Sequence, residues 1–239
     1  MLTESLVYLR SLGATPSPFR RHLPEAIGLW ARGRRRYRAW VPHLSNCLSV
    51  LDNTIDDIAT RRTVAVLGSG LLLDIPLESL ARTFERVLLI DQAHLATTDR
   101  RLKRYGNITR IWRDLAPIDG DTPLAFLGDI KDLDWVISAN LLSQIAGTAP
   151  AGDERRTVDR HLAGLGALSC MSTLISDIDY RIFDHEGTLL ADVDLLYGRS
   201  LPDADSRWLW EVAPFGEEAS DRRRVHTVVA FPDWHAASR

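Results

Sequence analysis

The stretch TVAVLGSG at residues 63–70 decides the fold. Its first five residues form a short β-rich run, and Gly68 and Gly70 follow at once. Glycine at such a point lets the backbone turn tightly and approach a ligand without a Cβ clash. A single GxG pattern is a weak signal, so the stretch predicts a strand that ends in either a ligand-binding turn or an ordinary strand-to-helix turn.

Outward from this stretch, short strands alternate with helices between residues 62 and 138. We predict strands at 86–90, 108–112 and 134–138 and helices at 76–84 and 93–105, with a loop at 115–123. Strands that alternate with helices in this way must run parallel and be joined by right-handed crossovers. The region therefore predicts a doubly wound sheet, whose ligands bind at the carboxyl ends of the strands.

The second half of the chain has a different pattern, with longer β-rich runs and fewer helices. A helix is predicted at 154–168, and strands at 170–183, 188–196, 208–212 and 225–231, with Arg222–Arg224 in a loop. The whole predicts a mostly parallel seven-stranded sheet that ends in an antiparallel hairpin. We divide the chain into an N-terminal helical extension, 1–60, and an α/β domain, 61–239, and expect one extension helix to end near Trp40 and the next to start or kink at Pro42.

Composition limits the class of protein. The chain has 239 residues, 45% of them hydrophobic, and a formal net charge of -3, so no global field points to nucleic acid or acidic lipid. Cys47 and Cys170 lack CxxC spacing, which predicts neither a disulfide framework nor a Cys-based zinc site, and no metal site is expected. Charged residues interrupt the N-terminal apolar residues and no long apolar run follows, so we expect a cytoplasmic protein without a membrane span.

Two aspartates end the second and third strands. Asp91 lies 23 residues after Gly68, close to the spacing of about 20 at which an acid binds the ribose hydroxyls of a nucleotide. The alternative is that Asp91 caps the following helix. Asp114 ends the third strand at the same edge of the sheet, where it would either contact such a ligand or be a solvated loop residue.

The residues 62–146 resemble motifs I to IV of class I S-adenosylmethionine-dependent methyltransferases. The resemblance rests on VAVLGSGLLLDIP, VLLIDQAH, IWRDL and DWVISANLLSQI, and an uncharacterised bacterial branch of that superfamily is most similar. Two positions depart from the pattern. Val66 stands where an acid is usual, and Leu72 stands where a third glycine is usual, so cofactor affinity is in question. Asp74 either replaces the missing acid or caps the helix at Pro76.

The resemblance implies S-adenosylmethionine as cofactor and a set of side chains that would bind it. Those residues are Gly68, Ser69, Gly70, Asp74, Asp91, Gln92, Asp114 and Asn140. Asn140 would also face the methyl acceptor, unless it only caps the next helix. Methyl transfer needs positioning and, for some acceptors, a base. The sequence offers Asn140, His94, Asp177 and His22 for these roles and does not select among them.

Arginines are dense between Arg32 and Arg38, flanked by Trp30 and Trp40. This segment either binds an anion such as RNA or pairs with nearby acids, and the negative net charge favours pairing. Taken together, the sequence predicts a methyltransferase with an unknown, preferably small-molecule acceptor. The alternatives are a non-catalytic methyltransferase-like binding protein and a nicotinamide-dependent oxidoreductase, although the full GxGxxG of the latter is absent.

Overall fold

One eight-stranded sheet organises the chain. The computed structural model describes residues 2–117 and 123–238, so most of the predicted loop at 115–123 lies outside the described residues. The strands are β1 Thr63–Leu67, β2 Arg86–Asp91, β3 Ile108–Trp112, β4 Leu133–Ala139, β5 Met171–Asp184, β6 Leu189–Asp194, β7 Ser206–Ala213 and β8 Arg222–Phe231. The α-helices are α1 Leu2–Ala14, α2 Leu23–Arg35, α3 Tyr37–Asp57, α4 Leu77–Thr83, α5 Asp99–Leu102, α6 Leu142–Gly147, α7 Glu154–Gly166 and α8 Trp234–Ala237.

The strand order confirms the predicted fold class. Neighbouring strands follow the order β3-β2-β1-β4-β5-β8-β7, and β6 pairs with the outer part of β5 as an additional eighth strand. Strands β1 to β5 pair in parallel, whereas β8 is antiparallel to β5 and β7 is antiparallel to β8. The sheet is therefore doubly wound and mostly parallel, with an antiparallel pair at its C-terminal end.

The order reverses between β1 and β4, which makes the carboxyl ends of these two strands the switch point of the sheet. Leu67 pairs with Ser138 at that end, so the turn at Gly68 and the residue Asn140 follow two adjacent strands. In open α/β sheets the crevice at such a point is where ligands bind. The topology thus places the glycine turn and Asn140 side by side.

Both faces of the sheet are buried at the central parallel strands β1 and β4, as a parallel sheet requires. Helix α3 covers one face with a row of apolar side chains spaced by three and four residues, including Cys47, Leu51 and Ile55. Helices α6 and α7 cover the other face through Leu142, Val158 and Leu162, among others. None of the helices in the described part of the chain is long and apolar enough to cross a membrane.

The break between α2 and α3 lies at Arg36, so the predictions that one helix ends near Trp40 and that the next begins at Pro42 are wrong. Helix α2 ends at Arg35, and Pro42 lies inside α3. Gly33 lies close to α3, since a Cβ there would lie 3.1 Å from the ring of Trp40. The small residue lets α3 pack directly against α2 just after the break.

The helix predicted at 93–105 is also wrong, since only a 3-10 turn at Ala96–Thr98 and the four residues of α5 are helical. The cause is a tertiary contact. Ala93 and Leu95 pack in one apolar cluster with Val7 of α1 and with Leu23 and Ile27 of α2. Burial of this segment against the N-terminal helices outweighs its local helical pattern.

The arginine-rich segment is paired with acids, as the sequence favoured. Arg35 donates to Glu217 at 2.8 Å, Arg36 donates to the other carboxylate oxygen, and Arg32 lies 3.7 Å from the same side chain. Burial alone would raise the pKa of Glu217, but the hydrogen bonds from Arg35 and Arg36 outweigh it and lower the pKa. The segment therefore ties α2 and α3 to the loop between β7 and β8. The second run, Arg222–Arg224, lies in β8 and not in the predicted loop.

We expect Glu217→Gln to lower the free energy of unfolding by about 1 kcal/mol, because it leaves Arg35 and Arg36 without their shared carboxylate. The loss should shrink in 1 M NaCl, where salt screens exposed charges. Urea unfolding at low and high salt measures both effects. Glu78→Gln, which removes the exposed pair with Arg82, is the matched control and should change stability by less than about 0.5 kcal/mol. Equal losses of stability in the two variants would show that the Glu217 contacts stabilise the fold no more than an exposed ion pair does.

Candidate functional site

The turn after β1 is built from left-handed backbone. Gly68 has φ 65° and Gly70 has φ 48°, a region that glycine enters at little cost. The Gly68 N–H donates to the carbonyl of Ile90 at 2.9 Å, which holds the turn against the end of β2. Leu141 packs on Gly68, since a Cβ at residue 68 would lie 2.8 Å from its Cδ1 atom. The predicted glycine requirement at residue 68 is therefore both conformational and steric.

A matched pair of substitutions separates these two requirements. We expect Gly68→Ala to lower the free energy of unfolding by about 2 kcal/mol, because its Cβ adds a clash with Leu141 to the cost of left-handed backbone. Gly70→Ala should cost about 1 kcal/mol, because a Cβ there meets nothing closer than 3.6 Å. Urea unfolding of both variants tests this ranking. A larger loss for Gly70→Ala would contradict it.

Asp91 faces the glycine turn. One carboxylate oxygen of Asp91 accepts from the Gly70 N–H at 2.7 Å, and the other accepts from the Ala93 N–H at 3.1 Å. The side chain thus bridges the end of β2 to the turn after β1. Each oxygen keeps further acceptor capacity, since a carboxylate has about four lone-pair sites.

Asp114 and Gln92 extend this row of polar groups. The Gln92 Nε2 donates to Asp114 Oδ1 at 2.8 Å, and the Ala116 N–H donates to the same oxygen at 2.9 Å. Asp114 therefore lies beyond the end of β3 and contacts the residue next to Asp91. The polar row crosses the carboxyl ends of β1, β2 and β3 in order.

Asp74 pairs with Asn140 and does not cap α4. The Asn140 Nδ2 donates to Asp74 Oδ2 at 2.6 Å, and no side chain caps α4, whose first residue is Leu77. Burial raises the pKa of Asp74, and no charged group among the described residues offsets that effect. Asn140 itself has φ 53° and follows β4 directly, so it does not serve as a helix cap either. The pair joins the loop after β1 to the end of β4.

Two polar atoms in the segments that follow β1 and β4 have no partner within residues 2–117 and 123–238. They are Oγ of Ser69 and Oδ1 of Asn140, both buried. A buried polar atom left without a hydrogen bond costs about 1–3 kcal/mol. Together with the carboxylate of Asp74, they form a set of acceptors that a ligand ammonium group would complete.

Buried apolar side chains also lie along this edge of the sheet. Leu72, which takes the place of a third glycine, has φ 57° and is 2% exposed. The segment 93–95 beside Asp91 is held under α1 and α2. The polar groups at this edge therefore lie close to the N-terminal helices α1 and α2.

His94 and His22, two of the predicted catalytic candidates, have partners that point away from such a role. The His94 Nε2 contacts the carbonyl of Ile111 at 3.1 Å, its ring meets Trp112 edge-on, and burial lowers its pKa. His22 ends a 3-10 turn and contacts the Nε of Arg21. The His94 contact reaches β3 and the His22 contact joins neighbouring residues, and neither of these hydrogen bonds leads to the glycine turn.

Asp177 pairs with His226, a residue that sequence reasoning missed. The Asp177 Oδ2 lies 2.6 Å from His226 Nδ1, and its Oδ1 accepts from the hydroxyl of Ser143. Ser143 follows Asn140 by three residues, so the pair lies beside the end of β4. The one available signal was that His226 falls in a β-rich run with period-two spacing.

His43 of α3 is the second residue that was missed. Its ring stacks on Trp210 with a centroid distance of 4.0 Å, and Trp208 Nε1 donates to its Nδ1 at 3.1 Å. The His43 Nε2 lies 3.3 Å from Asn140 Nδ2. Burial lowers the pKa of His43 to about 4, so the ring is neutral at pH 7. The buried His43 links the helical extension to both Asn140 and the C-terminal strands.

Comparison with known proteins gives distant structural likenesses only. No protein-family model and no curated protein matches the chain. Among solved structures, the N-methyltransferase NodS from Bradyrhizobium japonicum WM9, in complex with S-adenosylhomocysteine, is 14% identical with a TM-score of 0.40, over 79% of this chain and 87% of that chain. A DhpI complex with S-adenosylhomocysteine is 16% identical with a TM-score of 0.43, over 87% and 95%. The 1,6-didemethyltoxoflavin N1-methyltransferase from Burkholderia thailandensis is 14% identical with a TM-score of 0.38, over 83% and 87%. Likenesses this distant say nothing about what this chain binds.

Proposed function

We propose that the chain is an S-adenosylmethionine-dependent methyltransferase. The observation that carries this proposal is the position of Asp91, whose carboxylate lies 2.7 Å from the Gly70 N–H at the carboxyl ends of β1 and β2. A carboxylate at this point of a doubly wound sheet accepts hydrogen bonds from ribose hydroxyls. A nucleoside-containing cofactor is therefore the ligand that fits this edge best.

Different groups at this edge would bind different parts of the cofactor. Asp91 would bind the ribose, and Gln92 with Asp114 would lie toward the adenine. The turn at Gly68–Gly70 would approach the methionine part closely, because Gly68 and Gly70 have no side chain. When bound, the cofactor supplies an electrophilic methyl group on a sulfonium, so the protein contributes mainly alignment of the acceptor.

Asp74 favours this cofactor over a dinucleotide. Its carboxylate is paired with the neutral Asn140 alone among the described side chains, and Oδ1 of Asn140 beside it is free to accept. The ammonium group of S-adenosylmethionine supplies the missing cation and donors, whereas the phosphates of a nicotinamide cofactor would repel this carboxylate. In this proposal Asp74 takes the role of the acid that Val66 replaces.

A non-catalytic relative that uses the same fold for binding is the second candidate. The departures at Val66 and Leu72 favour it, because Leu72 lies where a third glycine would leave room for ligand. The arginine-rich segment is less suited as its contact surface, since Arg35 and Arg36 are paired with Glu217. Binding of cofactor separates the two candidates.

Thermal unfolding with S-adenosylhomocysteine, with NADH and without ligand tests the proposal. A ligand at 100 times its dissociation constant stabilises the folded state by about 2.7 kcal/mol, which raises the midpoint of unfolding by several degrees. We expect a rise with S-adenosylhomocysteine alone. A rise with NADH alone would select an oxidoreductase, and no rise with either would select a non-catalytic relative.

The finer assignments follow from the same proposal. We propose a small-molecule acceptor, with residues 1–60 acting as an extension that covers the acceptor side of the domain at 61–239. His43 of α3 supports this role, since it contacts the side chains of both Asn140 and Trp208. The cytoplasm as the location remains a prediction from cysteine usage.

A further inference from the structure

The pair Asp177–His226 has the geometry of an oriented base. Each oxygen of the Asp177 carboxylate has a partner, with Oδ2 at 2.6 Å from His226 Nδ1 and Oδ1 accepting from the hydroxyl of Ser143. Both residues are buried, at 5% and 8% exposed. An ionised carboxylate only accepts, so the shared hydrogen belongs to Nδ1, and in the neutral form of the His226 ring the lone pair is on Nε2.

That lone pair has no donor. The His226 Nε2 is buried and has no hydrogen-bond partner in any described residue. Leaving such an atom unpaired costs about 1–3 kcal/mol, and a purely structural Asp–His pair gains nothing from it. The orphaned atom is what a base that awaits a proton requires.

Trp210 has a hydrogen-bond donor without a partner beside this acceptor. Its ring contacts His226 at a centroid distance of 5.8 Å, and its Nε1, a donor only, is likewise buried and unpaired by the described side chains. One free acceptor and one free donor on contacting rings match a hydroxyl group, which donates one hydrogen bond and accepts another. Tyr180 stacks on His226 and His43 stacks on Trp210, so the surroundings are aromatic.

The position of the pair fits an acceptor site next to the proposed cofactor. Asp177 follows Ile175 by two residues, and the carbonyl of Ile175 accepts from the N–H of Asn140 at 2.8 Å. The pair thus lies beyond the end of β4, on the side of the switch point away from Asp91. A methyl group carried over β1 and β4 would lie between the ribose site and His226.

We propose that His226 is the general base of the reaction, that Asp177 is its positioning residue, and that the methyl acceptor is a hydroxyl compound with an aromatic body. This inference rests on the proposed methyltransferase function. The hydroxyl proton passes to His226 Nε2 as an oxygen lone pair forms the O–C bond to the methyl carbon. The C–S bond breaks with its electron pair going to sulfur, which neutralises the sulfonium, and Asp177 stabilises the imidazolium that forms.

The test uses 4-nitrophenol, whose phenolate absorbs visible light and therefore reports transfer of its proton. The full chain, loaded with S-adenosylhomocysteine, is titrated with this phenol at a pH where the free phenol is mainly protonated. We expect a saturable phenolate absorbance with the wild-type protein, its loss in His226→Gln, and a loss of at least about tenfold in amplitude in Asp177→Asn. His185→Gln is the matched control, because His185 lies at the far end of β5 and stacks on Phe215. It should behave as wild type.

Calorimetric titration of each protein with S-adenosylhomocysteine distinguishes failure of the proposed base from failure of the proposed methyltransferase function. Binding of S-adenosylhomocysteine also shows that a variant is folded. Unchanged cofactor affinity with lost phenolate signal in His226→Gln supports the base. No phenolate signal in the wild type, or an equal signal in His226→Gln, overturns it even where the cofactor binds. Absence of cofactor binding to the wild type overturns the methyltransferase function instead. A phenolate signal in the protein without cofactor that persists in Asp177→Asn overturns the positioning role.

Discussion

Asp91→Ala is expected to raise the dissociation constant of S-adenosylhomocysteine by roughly 100-fold. A carboxylate that accepts from both ribose hydroxyls makes two hydrogen bonds to a charged group, together worth about 3 kcal/mol after the cost of desolvation, and each 1.4 kcal/mol is a factor of ten. Part of the effect is indirect, because Asp91 also accepts from the Gly70 N–H and holds the turn. Calorimetric titration at fixed pH measures the change.

Two further variants make this result specific. Asp91→Asn keeps one acceptor oxygen for the Gly70 N–H but loses the charge, so we expect an intermediate loss of roughly tenfold. Asp52→Asn removes an exposed carboxylate of α3 and should leave the affinity unchanged. Wild-type affinity in Asp91→Ala, with an unfolding midpoint that shows a folded protein, would place the ribose elsewhere.

A steep loss of stability between pH 6.5 and pH 4 is the second large effect. Burial lowers the pKa of both His43 and His161 to about 4, whereas an unfolded histidine titrates near 6.5. The unfolded chain therefore binds these two protons first as the pH falls. The contribution of neutral His43 and His161 to the free energy of unfolding is complete above about pH 6.5. It is lost as the pH falls to about 4, by up to about 3 kcal/mol for each histidine.

Urea unfolding at several pH values, compared between variants, measures this loss. His161→Gln keeps a hydrogen-bonding group opposite Ser138 but does not titrate, so its stability should fall less steeply with pH. His43→Gln should do the same, and the exposed His185→Gln should leave the slope unchanged. Burial raises the pKa of Asp74, which acts with the opposite sign above about pH 4, so slopes and not absolute values are compared. An unaltered slope in both His43→Gln and His161→Gln would contradict the account.

The sequence predicts well the parts of the fold that local pattern controls. The first strand, Thr63–Leu67, and the alternation of strands and helices after it were sufficient for the doubly wound sheet, because buried parallel strands and their crossovers leave few other topologies. The position of Asp91 relative to Gly70 followed from the same topology. Asp91 ends β2 and Gly70 lies in the turn after the neighbouring parallel strand β1, so their proximity needs no further information.

The sequence does not predict what long-range packing controls. The helix expected at 93–105 gave way to contacts of Ala93 and Leu95 with residues of α1 and α2 that lie far away in the chain. The pairing of Asp177 with His226 spans 49 residues and depends on the register of β5 with β8. His43 has no local pattern that marks it as polar core, and only the docking of α3 against Trp208 and Trp210 brings it beside Asn140.

A crystal structure of the chain with S-adenosylhomocysteine tests the central claim most directly. The account predicts the ribose hydroxyls within hydrogen-bond distance of the Asp91 carboxylate, and the ligand ammonium group at Asp74 and Oδ1 of Asn140. A ligand bound away from the carboxyl ends of β1, β2 and β4, or a ribose that leaves Asp91 bonded to Gly70 and Ala93 alone, would contradict it.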